Sequence, residues 1–391
     1  MIKSLMKRRQ FLLRTGALGC SLAASPLITP VSFAQAPWET RLVVIILRGG
    51  MDGLDVVRPV GDPAFAALRP SLNSGAPPLD LDGYFAMHPA LAPLMPLWHA
   101  QQLGFVHAVS TPYRNKRSHF DGQDLLEAGT ASLDDRARDG WLNRLLQQVP
   151  GVGTETAYAI GYNDLKVLDG PAQVANWTPD ADVTLSSQAR RLAELVMEDD
   201  PVLHAALSEA LLLSDGFTAD RAGGQQKAHM QVARFAADRL RADARIAAFS
   251  LNGWDTHRGQ ERVLPRVLDA LSQTILTLKQ DLGTDVWGKT AVVAMTEFGR
   301  TARENGTNGT DHGTGGLMVL SGGAIRGGKV YGSWPGVDET ALFDRRDLMP
   351  TGDVRAPAAW LLRAITGVDR TVLERNVFPG LTLDDDPKLL L

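Results

Sequence analysis

The stretch LVVIILRGGMDGLD, residues 42–55, joins a strongly apolar run to a turn and two acidic residues. Its first six residues are apolar and four of them are β-branched, which predicts a β-strand that is buried on both faces. Gly49 and Gly50 then predict a turn, and Asp52 follows it. Because ligands of open α/β sheets bind at the carboxyl ends of strands, we expect Asp52 to belong to a polar, metal-binding site. Alternatively, Asp52 and Asp55 only accept hydrogen bonds from the turn.

The rest of the chain alternates between strand and helix patterns. Thr290 to Met295 is predicted to be a second buried strand, and polar residues follow it as they follow the first. Helical patterns at residues 88–102, 186–213 and 224–244 predict helices that cover a sheet. This alternation predicts an α/β fold, a three-layer sandwich with a mostly parallel central sheet and helices on both faces. No internal repeat or linker divides the chain, so residues 35–391 are predicted to form a single domain.

The first 34 residues have the pattern of an export signal. Five basic residues and no acidic residue precede or flank a short apolar run, and Arg8-Arg9-Gln10-Phe11-Leu12 resembles the twin-arginine motif. The sequence Ser32-Phe33-Ala34 fits the small-x-small cleavage rule, so residues 1–34 are predicted to be a signal peptide. We therefore expect the twin-arginine translocase to export the chain to the periplasm or beyond. An uncleaved membrane anchor is the alternative, but the run is shorter than the roughly 20 residues that span a bilayer.

The composition of the chain after the signal excludes several classes of protein. Its only cysteine, Cys20, lies within the signal, so the exported chain is expected to contain no disulfide. Without the five basic residues of the signal, 35 basic residues remain against 44 acidic ones, which gives a net charge of −9. An acidic chain of this kind is not expected to bind nucleic acid, and no membrane span is expected in the exported form.

Several later segments carry acids, histidines or hydroxyls where a site is expected. They follow predicted strands, lie in a neighbouring loop, or begin a helix, as Ser118 and His119 do. Carboxylates and imidazoles that converge beside a hydroxyl at a helix N-terminus suit metal-assisted transfer of a phosphate or sulfate group. We take Ser118 and His119 as candidate catalytic residues. The candidate metal ligands are Asp52, Asp255, His257, Glu297, Asp311 and His312.

Each candidate also has a structural interpretation. Ser118 and Asp121 have the spacing of a helix-capping pair. The carboxylate of Asp255 has a position from which it could cap the next helix. Glu297 and Arg300 are spaced to form an ion pair. These alternatives require no ligand at all.

Five motifs in a fixed order resemble one known family. LRGGMDGLD, RSHFDGQD, GWDTH, TEFGRT and GTDHGTGG, behind a twin-arginine signal, resemble domain-of-unknown-function family 1501. That family is similar to a branch of the alkaline phosphatase/sulfatase superfamily, whose fold is a mixed sheet between layers of helices. The resemblance implies that Ser118 is the nucleophile. It also implies metal-ligand roles for Asp52, Asp255, His257 and His312.

The chain departs from the superfamily pattern at one position. An Asp-His pair is usual after the strand that here ends in Thr296-Glu297-Phe298-Gly299. Glu297 can replace the acid, but Phe298 cannot bind a metal. We therefore expect one or two divalent cations, with zinc, manganese and calcium as the candidates.

Two functions follow from these features. The resemblance implies an exported metal-dependent hydrolase of phosphate or sulfate esters, acting on a small-molecule or glycan ester. The alternative is a non-catalytic exported protein that keeps the fold as a binding or assembly module.

Overall fold

In the computed structural model, Arg41–Arg48 form strand β1, and seven of its eight residues are buried. The structure describes residues 36–114, 118–161, 165–178 and 228–391. Within it, Ala36–Leu391 makes up one compact unit. The predicted signal peptide and the predicted helix at 186–213 lie outside the described residues. None of the described helices combines the length and the apolar character that crossing a membrane requires.

The described chain contains twelve strands and nine α-helices. The strands are β1 Arg41–Arg48, β2 Val57–Arg58, β3 Leu79–Asp80, β4 Ala86–Met87, β5 Leu103–Ser110, β6 Ala157–Ile160, β7 Ala175–Trp177, β8 Ile246–Asn252, β9 Thr290–Met295, β10 Gly316–Ser321, β11 Val330–Tyr331 and β12 Gly352–Asp353. The α-helices are α1 Gly53–Val56, α2 Phe65–Leu68, α3 Met95–His99, α4 His119–Ala128, α5 Trp141–Gln148, α6 Ala228–Arg241, α7 Gln260–Trp287, α8 Arg355–Thr366 and α9 Arg370–Val372. Short 3₁₀ helices are Leu72–Ser74, Pro89–Leu94, Thr154–Thr156 and Lys166–Leu168, and Leu373–Val377 is a π-helix.

Nine of the strands form one mixed sheet. Its order is β11-β5-β10-β9-β1-β8-β6-β7, and β12 also pairs with β5. Strand β10 is antiparallel to β9 and β5, whereas the other pairings are parallel. The predicted α/β fold with a mostly parallel central sheet is confirmed. The central position of β1, between β8 and β9, explains why its sequence is apolar at successive positions.

The strand directions place several loops at one edge of the sheet. Strands β1, β5, β8 and β9 are mutually parallel, so their carboxyl ends lie at the same edge. Because β10 runs in the opposite direction, the loop that precedes it also reaches this edge. The loop before β10 can therefore join a site that the other four strand ends form.

Helix α7 covers part of the sheet with an apolar face. Leu264, Leu268 and Leu271 are buried at helical spacing along it. Burying a leucine side chain fully stabilises a protein by about 1.5–3 kcal/mol, so this face contributes strongly to the core. The helix also lies against α6 and the 3₁₀ helix Pro89–Leu94.

The prediction of one helix over residues 88–102 is wrong. The structure has a 3₁₀ helix at Pro89–Leu94 and the short helix α3 at Met95–His99. Pro93 lies inside the first of these and Pro96 at the start of the second. Since proline lacks a backbone N–H and clashes with the preceding turn, these residues break the helical ladder into two pieces.

Candidate metal centre

Four loops at the carboxyl edge of the sheet supply the candidate residues. His119 is the first residue of α4, and Asp255 and His257 follow β8. Glu297 follows β9, and His312 precedes β10. Because these strand ends share one edge, residues that are up to about two hundred positions apart in sequence come into contact there.

Backbone hydrogen bonds hold the loops together. Thr310 N donates to Thr256 O at 3.1 Å, which ties the loop before β10 to the loop after β8. Gly313 N donates to Gly299 O at 2.8 Å, which ties the same loop to the one after β9. The approach is close, because a Cβ atom on Gly313 would lie 2.3 Å from the carbonyl carbon of Arg300. Glycine at this position therefore lets His312 reach the other loops.

Three side chains lie close enough to share one metal ion. Among the described residues, ligand atoms of His119, Asp255 and His312 all lie within 4.8 Å of one another. The Nε2 atoms of His119 and His312 are 3.4 and 3.2 Å from the two carboxylate oxygens of Asp255. His257 adjoins this group, since its Nε2 lies 2.9 Å from Nε2 of His312 and 3.1 Å from Asp255 Oδ1. We call these four residues the histidine cluster.

Two carboxylates orient two of the histidines. Glu297 Oε1 lies 2.8 Å from Nδ1 of His119, and Asp311 Oδ1 lies 3.0 Å from Nδ1 of His257. In both cases Nδ1 faces a carboxylate, so Nε2 of each ring is directed toward the cluster. Metal-binding histidines in proteins commonly have such a carboxylate on the nitrogen that does not bind the metal.

Glu297 is held rigidly in this role. Its side chain is fully buried, and Oε1 also accepts hydrogen bonds from Gly49 N at 2.9 Å and Gln123 Nε2 at 3.1 Å. Oε2 accepts a hydrogen bond from Thr296 Oγ1 at 2.9 Å. Both oxygens are therefore used, and the N–H group of the glycine turn after β1 is satisfied by Glu297 and not by Asp52.

The charges of the centre follow from these contacts. Burial would raise the pKa of Glu297, but the hydrogen bond from His119 and its other donors outweigh burial and lower that pKa below its ordinary value. The hydrogen bond to Glu297 is the main reason that the pKa of His119 is raised. Burial also opposes the ionisation of Asp255, but Arg300 outweighs it and lowers the pKa of this carboxyl. The carboxylates are therefore ionised at neutral pH.

Arg300 is part of the centre, but not in the ion pair considered from sequence. Its side chain is fully buried, and Nη1 donates to Asp255 Oδ1 at 2.8 Å. It also donates to the hydroxyl and the carbonyl of Thr310, at 3.2 and 2.6 Å. Arg300 thus pairs with Asp255, while Glu297 pairs with His119. Asp255 does not cap α7, whose N-cap residue is Gly259.

Phe298 forms an apolar wall of the centre. Its ring stacks on His119 with a centroid distance of 5.1 Å and lies 5.0 Å from the ring of His312. A phenylalanine side chain offers no metal ligand. Phe298 instead packs against His119 and His312, two of the three residues that lie close enough to share one metal ion.

Ser118 has a helix-capping contact. It is the N-cap residue of α4, and its Oγ accepts a hydrogen bond from Asp121 N at 3.5 Å. Its own N–H donates to the hydroxyl of Tyr113 at 3.1 Å. The structure therefore agrees with the capping interpretation. Ser118 directly precedes His119 in the sequence, so both residues lie at the N-terminus of α4.

Asp52 is not brought into the histidine cluster. Its Oδ2 accepts hydrogen bonds from Arg69 Nη1 at 2.8 Å and from Gln260 Nε2 at 2.6 Å. The Oδ1 atom is buried and has no hydrogen-bond partner among the described residues. Thus Asp52, the first metal ligand predicted from the sequence, pairs with the guanidinium of Arg69 and does not join the histidine cluster.

The sequence interpretation missed three residues of this region. Gln123 lies four positions after His119 on α4, so the helical period was a signal that could have found it. Gln260 donates to both Asp52 and Asp55, and Arg69 pairs with Asp52. No sequence pattern links these two residues to Asp52.

The donors of the histidine cluster fit a divalent cation. Two imidazole nitrogens and a carboxylate are common zinc ligands, and neighbouring ligands of a tetrahedral zinc lie roughly 3.4 Å apart. The distances from Asp255 to His119 and His312 are near that value. The Nε2 of His119 is buried and makes no hydrogen bond with the described residues. Because buried polar atoms normally have a partner, a buried nitrogen without a hydrogen bond is well suited to bind a metal ion.

A protein-family match covers most of this region. The family described as a protein of unknown function (DUF1501) matches residues 88–355 of the 391 residues. The chain belongs to this family. The resemblance inferred from five motifs is thus confirmed, although the match begins after the first motif. Every residue of the histidine cluster lies within the residues that the DUF1501 family model matches. Among curated proteins, none matches the chain.

A comparison with solved structures found similarities at low identity, among them these three. A superfamily protein from Vibrio parahaemolyticus has 10% identity and a TM-score of 0.36, over 84% of this chain and 72% of the other. A mutant TAB5 alkaline phosphatase with Mg bound in the M3 site has 11% identity and a TM-score of 0.34, over 75% and 95%. Ps i-CgsB in complex with k-i-k-neocarrahexaose has 8% identity and a TM-score of 0.34, over 85% and 73%.

Proposed function

We propose that this DUF1501 protein is an exported, metal-dependent hydrolase of phosphate or sulfate esters. The observation that carries the proposal is the histidine cluster with its supporting carboxylates. His119, Asp255 and His312 would hold the cation, with His257 beside them. A divalent cation bound there would neutralise charge on the transferred group and lower the pKa of a nucleophile. Zinc, manganese and calcium are the candidate ions.

The residues around the cluster suit a small anionic group. His119 is the first residue of α4, so the N-terminal end of a ten-residue helix lies at the cluster, where the helix dipole favours an anion. Side chains of Asp255 and His257 are 43% and 41% exposed, which leaves the cluster open to a substrate on that side. Phe298 supplies an apolar wall, because its ring packs on the rings of His119 and His312. A small-molecule or glycan ester could enter from the open side.

Ser118 supplies the hydroxyl in this proposal. It precedes His119 directly and lies at the N-terminus of α4. The Nε2 of His119 faces the cluster, because Glu297 holds Nδ1 on the other side of the ring. We propose that the Ser118 oxygen loses its proton and attacks the phosphorus or sulfur of the ester, while the bond to the alcohol oxygen breaks and that oxygen takes up a proton and leaves as the alcohol. Water would then hydrolyse the ester formed on Ser118, which releases phosphate or sulfate and restores the hydroxyl. The twin-arginine translocase would deliver the folded chain to the periplasm or the exterior.

The capping contact of Ser118 favours a second candidate function. A serine that only caps α4 would leave the cluster without a hydroxyl, and the chain would be a non-catalytic exported binding or assembly protein. In that case the hydrogen bond from Asp121 N to Ser118 Oγ is the whole role of this residue.

Three substitutions of Ser118 distinguish these functions. Ser118→Ala removes both the hydroxyl and the cap, Ser118→Asn removes the hydroxyl but keeps a good capping residue, and Ser118→Thr keeps both. We expect both Ala and Asn variants to hydrolyse phosphate or sulfate esters at least about 100-fold more slowly, because each lacks the nucleophile. Only the Ala variant should also lose about 1 kcal/mol of helix stability.

Rates on a panel of phosphate and sulfate esters, together with urea unfolding, measure both effects. Wild-type activity in the Asn variant would remove Ser118 from the reaction. A wild-type chain that carries a bound metal but hydrolyses none of the esters would favour the binding or assembly protein.

A further inference from the structure

A second polar network lies beneath the end of β1. Asp52 and Arg69 form its centre, with 1% and 0% of their side chains exposed and 2.8 Å between Oδ2 and Nη1. The remaining guanidinium nitrogens of Arg69 donate to the carbonyl oxygens of Ala302 at 2.8 Å and Thr301 at 2.7 Å. The guanidinium is thus fixed from three directions, and its charge stays beside Asp52.

The neighbouring carboxylate also has its own cation. Asp55 Oδ1 accepts hydrogen bonds from Arg58 Nε at 2.9 Å and Nη2 at 2.7 Å, and both side chains are 5% exposed. Gln260 Nε2 joins the two pairs, because it donates to Asp52 at 2.6 Å and to Asp55 at 2.8 Å. Two carboxylates and two guanidinium groups leave this network without net charge. Burying a divalent cation here would be costly, because both carboxylates already pair with a guanidinium and no negative charge remains to compensate the cation.

The histidine cluster has a different charge balance. Three carboxylates surround it, on Asp255, Glu297 and Asp311, and one of the charges is balanced by Arg300. The next guanidinium, on Arg346, pairs with the fully buried carboxylate of Asp347 at 2.8 Å, and the same Nη1 atom donates to His312 O at 3.0 Å. Histidines that bind a metal do so in the neutral form. With the histidines neutral and Arg346 paired with Asp347, the three carboxylates and Arg300 together leave two negative charges at this centre, which match one divalent cation.

We propose that the chain holds one divalent cation, in the histidine cluster, and that Arg69 provides beside Asp52 the positive charge that a second cation would otherwise supply. This inference rests on the proposed metal centre. In the alternative arrangement a second cation would bind at Asp52 Oδ1, which is buried without a hydrogen-bond partner among the described residues. The number of bound ions decides between the two arrangements.

The test counts the metal that the purified full chain retains. The chain is loaded with excess zinc, and in a separate sample with manganese, then desalted and analysed by plasma mass spectrometry. We expect about one equivalent in the wild type, and about one in Asp52→Asn, which keeps an oxygen that can accept from Arg69. We expect less than about 0.2 equivalent in His312→Ala, which lacks a ligand.

The outcomes separate this inference from the proposal on which it rests. About two equivalents in the wild type would overturn the one-cation arrangement while leaving the metal centre in place. Less than about half an equivalent in the wild type would overturn the metal centre itself. If Asp52→Asn does not fold, the wild-type count alone still decides, because the two arrangements differ by a whole equivalent.

Discussion

Replacing His312 by alanine is expected to weaken zinc binding by at least about 100-fold, because even the loss of an outer hydrogen-bond partner costs 10–100-fold. His312 places Nε2 within 3.2 Å of Asp255 and 2.9 Å of Nε2 of His257. Removing the imidazole leaves a carboxylate and His119 as the only members of the three-residue group. Competition with a coloured chelator of known zinc affinity measures the change directly.

His229→Ala is the matched control for this variant. His229 is also a partly buried histidine, but its Nε2 lies 3.0 Å from Gln273 Oε1, on helices α6 and α7. We expect its loss to leave the zinc affinity unchanged. Equal zinc affinity in His312→Ala and the wild type would contradict the assignment of His312 to the metal centre.

The second large effect concerns stability and not metal binding. Replacing Arg69 by methionine is expected to lower the free energy of unfolding by about 3–5 kcal/mol, the usual cost of leaving one charge of a buried pair without its partner. Asp52 would then stay buried at 1% exposure with its charge uncompensated. Urea unfolding in the presence of a chelator measures the change without any contribution from bound metal.

Arg262→Met is the matched control. Its side chain is 78% exposed and pairs with Glu261 at 3.2 Å, and such surface pairs contribute about 0–1 kcal/mol. The double variant Asp52→Asn with Arg69→Met should recover part of the lost stability, because it removes the unpaired charge. A loss below about 1 kcal/mol in Arg69→Met would show that Arg69 does not compensate Asp52.

The sequence predicted the central strands of the fold, where the local apolar pattern is strong. The apolar runs of β1 and β9 have no polar residue on either face, as a strand between parallel neighbours requires. The edge that carries the site also followed from the sequence, since polar residues come directly after these strands. The helix at residues 88–102 was overpredicted because its apolar spacing is helical, while Pro93 and Pro96 prevent a continuous hydrogen-bond ladder.

The roles of individual acids were harder to predict. Asp52 and Glu297 both follow a buried strand, and nothing in the local sequence shows that one faces Arg69 and the other His119. Those contacts join residues from distant parts of the chain, so they depend on tertiary packing. The loop with Asp311 and His312 reaches the site because β10 is antiparallel, and strand direction is not visible in a single strand.

An anomalous difference map from a crystal of the zinc-loaded chain, recorded at the zinc absorption edge, tests the central claim most directly. We expect one strong peak about 2.0–2.2 Å from Nε2 of His119, Nε2 of His312 and a carboxylate oxygen of Asp255. A map with no peak among these three residues, or with its main peak at Asp52, would contradict the account.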